Sequence, residues 1–247
     1  MWITLLTYML TTMFDYRHGT AIAAIVNHAE LVIAADSRVV NSADQPLEDT
    51  CKIHLVHGTV IAGHGLATDK ATGYDLFALA ANAARHAVSL QEAATEIARA
   101  GTKPVEAVLT SLRAGQPDVF ARKAADISPG VILARWEGDR PALGYIQFVP
   151  TIESQRISVH PEVHLCPGPD CLAGQAGVFV APVFVETEAF KSRHPHYAMG
   201  NIVDTARQFV QQQIDRRRPS VGPPIDIIRL KRGHAEWIQQ KVSCSLE

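Results

Sequence analysis

Thr20, Asp36 and Lys52 are residues of types that can do amide chemistry. They sit in HGTAIAAIVNHAELVIAADSRVVNSADQPLEDTCKI, at residues 18–53. A Thr hydroxyl is a weak nucleophile and needs a base beside it. If the chain is cut between Gly19 and Thr20, the new α-amine is that base. Its ordinary pKa, about 7.7–8.0, lies close to working pH. Nucleophile and base then belong to one residue, the N-terminal Thr form of the nucleophile-plus-base device. Such an amine needs a nearby cation to stay partly unprotonated, and Lys52 can supply it. A Lys in a sheet-lined cleft needs a counter-charge, because burying an unpaired ammonium is costly. Asp36 can supply that. Taken singly, Thr20 also reads as an ordinary strand start, Asp36-Ser37-Arg38 as an exposed turn and Lys52 as an edge-strand charge.

The elements that must hold these residues follow from periodicity. AIAAIV and LVIAA read as two apolar strands joined by a polar turn, with Thr20 at the start of the first and Asp36 ending the second. IHLVHGTVIAG after Lys52 reads as a second hairpin around His57-Gly58, followed by the glycine-rich turn AGHGLATD. From Ala71 to Val88 apolar residues fall at helical spacing. Ser89-Leu-Gln-Glu92 matches a capping box for a second helix, which Gly101 is expected to end. Pro104 then suits a first helical turn before Val105, Val108, Leu109 and Leu112. GVILARW, ALGYIQFV and RISVHPEVHL read as strands, and Met199 to Gln213 as one more amphipathic helix. Arg216-Arg217-Arg218 reads as the solvated end of that helix. IDIIRL and AEWIQQ close the chain as a hairpin. Runs of strands, helices, strands, helix and strands, without βαβ alternation, imply an α+β fold of antiparallel sheets covered by helices.

The chain has 247 residues, a size for one domain with at most a small appendage. A net charge of −2 gives no basic field for nucleic acid. The apolar opening MWITLLTYMLTTMF is too short to span a bilayer. It reads as a propeptide or signal-like segment, residues 1–19, ahead of a domain at 20–247, although no Lys or Arg precedes it. Cys51, Cys166, Cys171 and Cys244 fit no common zinc module; Cys166 and Cys171 are close enough to bridge in an exported protein. HPEVH places His160 and His164 four apart in a strand-like run without the HExxH order, so no metal is expected, and no phosphate-loop or nucleophile-elbow motif occurs.

GTAIAAIVNHAELVIAADSR, the later Lys and VIAGHG together resemble proteasome β-type subunits and their bacterial relatives, which are N-terminal nucleophile (Ntn) hydrolases. Counting from Thr20, Asp36 lies sixteen positions on and Lys52 thirty-two. The family's catalytic Asp and Lys stand at those separations. AADSR, with Arg38 as a supporting residue, is the family's usual wording at that strand end. The resemblance implies a four-layer αββα sandwich, cleavage at Gly19-Thr20, and oxyanion binding by a backbone N–H in AGHGLATD. Alignment on Asp69 selects Gly65 as donor; alignment on the strand selects Gly63. His64 between them reads as a cleft-lining residue or a plain loop histidine.

Two places depart from the family. Its Gly-Ser-Gly turn is CLAGQAG here, with Gln175 where the Ser would fall. Its Asp-x-x-Ser-Gly-Gly is RRRPSVGPP, with Ser220 one place off and an Arg at the Asp position. These suggest a divergent bacterial branch. The expected function is a threonine-type peptidase or amidohydrolase without cofactor, acting on a peptide or other amide. A homo-oligomeric ring and an ATP-dependent unfoldase partner belong to the same expectation, with no nucleic-acid or membrane partner. A cytoplasmic location comes first. The alternatives are an inactive scaffold that binds a partner, and an exported small-molecule amidase whose signal is cleaved at Gly19.

Overall fold

The computed structural model describes residues 16–17, 20–41, 45–47, 50–123, 127–153, 156–169, 171, 175–181, 185–216, 220–242 and 244. In chain order these form β1 (Tyr16–Arg17), β2 (Ile22–Val26), β3 (Leu31–Asp36), β4 (Ile53–Val56), β5 (Thr59–His64), β6 (Thr68–Asp69) and β7 (Tyr74–Asp75). Then come α1 (Leu76–His86), α2 (Leu90–Gly115), α3 (Pro117–Lys123), β8 (Gly130–Glu137), β9 (Arg140–Ile152), β10 (Ile157–Cys166) and β11 (Gly177–Ala181). The chain closes with α4 (Val185–Arg193), α5 (Ile202–Asp215), β12 (Ile225–Lys231) and β13 (His234–Gln239).

The fold is mixed α+β with two five-stranded antiparallel sheets, ordered β10-β9-β8-β5-β4 and β11-β2-β3-β12-β13. Alternation along the strands assigns each face. Ile22, Ala24, Ile33 and Ala35 of one sheet share a core cluster with Val60, Ala62, Ile132 and Tyr145 of the other. Ala23, Ile25, Val32 and Ala34 take the opposite face and meet Phe190, Ala206, Phe209 and Val210 from α4 and α5. Ile61, Val131 and Leu133 pack likewise on residues of α1 and α2. Burial on both faces explains why β2 and β3 read as unbroken apolar runs rather than alternating ones. Each fully buried aliphatic side chain contributes about 1.5–3 kcal/mol. No helix among the described residues is long and apolar enough to cross a membrane.

The hairpin around His57-Gly58 forms as expected, with both turn residues at positive φ (49° and 75°) as a tight two-residue connection requires. Ser89 caps α2 by accepting the Glu92 N–H at 3.1 Å. Glu92 returns a bond at 2.8 Å to the Val88 N–H, one residue earlier than an ideal capping box. α1 starts later than its apolar spacing predicts. Tyr74-Asp75 instead pair with Thr68-Asp69, and the Asp75 carboxylate caps the helix on the Ala78 N–H at 2.9 Å. The short α3 and α4 carry too weak a pattern to foresee.

Gly101 does not end a helix. α2 runs through it and through Pro104 to Gly115, forfeiting the bond residue 104 would return to the Ala100 carbonyl. The glycine is there for packing: a Cβ at position 101 would run into the ring of Phe148, itself fully buried in β9. Gly101→Ala is therefore expected to destabilise by about 1–3 kcal/mol through overpacking. That outweighs alanine's helix-propensity advantage of up to about 1 kcal/mol. Urea unfolding decides the sign, and a more stable variant would show that α2 can retreat from β9.

Candidate active site

Thr20 lies two residues before the start of β2 and is buried, with 6% of its surface exposed. Together with Lys52, Gly63 and Gly65 it lines one cavity of about 280 Å3, whose apolar wall includes Val39, Ala67 and Phe77. The residue types separated along the chain are thus gathered at one cavity. The local reason is register. β2 and β3 pair antiparallel with Ile22 opposite Ala35, so the start of one strand lies beside the end of the other. Asp36 donates its N–H to the Ala21 carbonyl at 3.1 Å, extending that pairing to Thr20's neighbour.

Asp36 and Lys52 are not an exposed turn and an edge charge. Asp36 is fully buried and Lys52 is 3% exposed. Lys52 Nζ donates to Asp36 Oδ1 at 2.8 Å. The same Oδ1 accepts the Ala21 N–H at 2.8 Å, and Oδ2 accepts from Arg38 at 3.1 Å and Gly222 at 2.9 Å. Three backbone donors plus an ammonium satisfy a carboxylate that would otherwise be expensive to bury. Burial pushes the Lys52 ammonium below the ordinary lysine pKa, while the Asp36 charge beside it pulls the other way.

The two candidate glycines differ in what their N–H groups do. Gly63 donates to the Lys52 carbonyl at 3.4 Å, as a continuation of the β4–β5 ladder. Gly65 adopts φ +70°, and no acceptor among the described residues takes its N–H. A Cβ there would run into the Ser128 carbonyl oxygen. Left-handed backbone and the close approach of residue 128 both demand glycine. Leu66 N–H to Ile127 O, 3.0 Å, holds the turn against that neighbouring segment.

His64 lies between these glycines but neither lines the cavity nor sits in a loop. It ends β5 with its side chain turned the other way, fully buried, and Nε2 meets the Tyr145 hydroxyl at 2.9 Å. Gly130 opposite has no Cβ, which would strike that Nε2. Burial pushes the imidazole pKa down to about 3. The unfolded chain, near pKa 6.5, binds the extra proton between those two values. Stability from this group is therefore complete above about pH 6.5 and drains away as pH falls towards 3, at roughly 1 kcal/mol per pH unit. His64→Gln is expected to flatten this acid limb in denaturant midpoints taken from pH 7 to pH 4. Parallel wild-type and variant curves would contradict it.

The remaining expected residues are dispersed. Arg38 reaches the site: its N–H binds Asp36, and its guanidinium lies where a Gly222 side chain would be. Ser220 is two residues before Gly222, whose N–H binds Asp36, and it is half-buried. Gln175 lines a different hollow with Val26, Asn27 and His28, at the far end of β2 from Thr20. Gly19, Arg217 and Arg218 lie outside the described residues. His160 and His164 lie on β10, at 3.6 Å and 4.0 Å from Glu162.

Sequence reasoning missed a second buried pair beside the first. Asp226 on β12 is 1% exposed and meets Lys241 Nζ at 3.2 Å. The available signal was an acidic residue inside the strand IDIIRL. It missed the Cys51–Cys244 disulfide too, across 193 residues with Cα atoms 5.3 Å apart, since loop closure at that range leaves no spacing signature. Cys166 and Cys171 also pair, with Cα atoms 5.1 Å apart. No protein-family model matches the chain, and no curated protein matches it at a significant level.

Proposed function

We propose that the chain is an N-terminal threonine hydrolase of the proteasome β-type, an Ntn hydrolase of a divergent bacterial branch. It cleaves itself before Thr20 and then hydrolyses peptide or other amide bonds. The observation that carries this is Thr20, Lys52 and the open Gly65 N–H on one cavity, with Lys52 held on Asp36 at 2.8 Å. The core clusters support the four-layer αββα reading, because helices pack on the outer face of each sheet.

Thr20 Oγ attacks the amide carbon while the Thr20 α-amine takes its proton. The Gly65 N–H holds the oxyanion, the usual electrostatic device of acyl transfer. The amine returns the proton to the leaving nitrogen, and water then hydrolyses the ester to Thr20. The Lys52 charge keeps the amine partly unprotonated at neutral pH. The apolar wall of Val39, Ala67 and Phe77 suits an apolar side chain on the acyl side. The chain ahead of Thr20 supports the peptide class: Tyr16–Arg17 pair antiparallel with Thr68–Asp69, and Thr68 is on the cavity rim. An extended segment on a strand edge is how peptides add to sheets. Ring assembly and an unfoldase partner rest on the family resemblance alone.

Intact mass and N-terminal sequencing of purified wild type beside Thr20→Ala test the proposal. A Thr20 N-terminus in the wild type only supports self-processing. Chains keeping residues 1–19 in both leave no free amine and sink the hydrolase reading in favour of a scaffold. The two disulfides favour a second reading, an amidase of an oxidising compartment, where such bridges persist. There a signal peptidase frees Thr20, and Thr20→Ala is cut at the same bond.

A further inference from the structure

We propose that Lys241 is a positioning residue for Lys52: held on the C-terminal segment by the Cys51–Cys244 bridge, it fixes the segment that presents Lys52 to the cavity and keeps a second positive charge beside it. This rests on the hydrolase reading of the site. Lys241 follows β13, and its side chain is 8% exposed. Its Nζ faces Asp226 Oδ2 at 3.2 Å and also donates to the Thr50 carbonyl. Its own N–H donates to Asp226 Oδ1 at 2.8 Å. Asp226 Oδ2 accepts the Ser37 hydroxyl at 3.1 Å, and the Ser37 carbonyl accepts the Thr50 N–H at 3.2 Å.

The bonds close a ring through Ser37, Thr50, Lys241 and Asp226. Ser37 follows Asp36, and Thr50 stands two residues before Lys52. The ring therefore ties together the two stretches of chain whose side chains make the Asp36–Lys52 pair. The disulfide adds a covalent tie at the same point, because Cys51 lies between Thr50 and Lys52 and lines the cavity. Three charged groups act on Lys52: Asp36 and Asp226 favour its charged form, and Lys241 opposes it. A plain structural staple would lend rigidity only. A positioning residue with a charge also alters how Lys52 and a neighbouring amine titrate.

The test uses the full chain as purified, with 13C-labelled lysine side chains, in wild type, Lys241→Met and Lys241→Arg. In Lys241→Met a like charge leaves and Asp226 loses its partner, so both changes raise the Lys52 pKa. Its NMR titration is expected to move up by about one pH unit. Losing the Lys241 charge also favours the protonated form of the nearby Thr20 amine, so with a peptide amide as substrate the acidic limb of kcat/KM is expected to move up as well. We expect kcat to fall roughly tenfold and KM to stay within about twofold. Lys241→Arg keeps the charge and is expected to titrate like wild type. An unmoved Lys52 titration in folded Lys241→Met, or equal losses in Met and Arg variants, overturns the proposal. If Lys241→Met does not fold, Cys51→Ser/Cys244→Ser, which releases the segment, is read by the same titration. The NMR reading needs no turnover: a chain that keeps residues 1–19 ends the hydrolase reading but still reports whether Lys241 governs Lys52.

Discussion

Thr20→Ala is expected to remove turnover by roughly three orders of magnitude or more, the scale on which losing a covalent nucleophile acts. The substitution deletes a hydroxyl and a methyl of a residue lining the cavity and touches none of the four bonds that the Asp36 carboxylate accepts. Folding should change by well under the cost of a core truncation. The loss should therefore appear in kcat at near-wild-type stability. Thr20→Ser keeps the attacking oxygen and should retain measurable activity. Steady-state rates on a peptide amide, taken beside urea midpoints, check the pair. Activity retained by Thr20→Ala would move the chemistry away from this residue.

The second large effect is on the fold. Asp36→Ala removes the acceptor of one buried ammonium and three backbone N–H groups at a fully buried position. Breaking one side of a buried ion pair costs about 3–5 kcal/mol, and stranded donors add to that. Lys52→Met leaves the carboxylate with its three backbone donors and should cost clearly less. The double variant Asp36→Ala/Lys52→Met should be more stable than Asp36→Ala alone, because the stranded charge is gone. All three should be inactive. Equal unfolding free energies for the two single variants would mean that Lys52 escapes to water when Asp36 is lost, contrary to its burial.

The site and its scaffold were unequally legible. Thr20, Asp36 and Lys52 stood out through the resemblance, which matches their types and their separations of sixteen and thirty-two positions; taken singly each reads as an ordinary strand start, turn or edge charge. His64 was misread because a histidine between two glycines looks like loop. Only the β5 alternation, with Val60 and Ala62 on the same inward face, sends its ring towards Tyr145. Gly101 was misread as a stop, because a glycine needed for the close approach of Phe148 has the same one-letter signature as a C-cap.

By itself the sequence determined the main runs of strands and helices, the apolar strand pair that Thr20 leads into and the Ser89 cap of α2. Those properties are local: they depend on period, caps and turn residues within a few positions. Tertiary structure decided that Asp36 and Lys52 are buried together and that Gly65 rather than Gly63 has an open N–H. It also decided that Asp226, Lys241 and Cys244, from the last strands and the segment after them, close around the segment entering β4. Each of these depends on how separate strands and loops pack, over separations from 16 residues for Asp36 and Lys52 to 193 for Cys51 and Cys244. No local pattern encodes such neighbours, because hydrogen-bond satisfaction and desolvation are settled only when the two sheets and their coverings are packed.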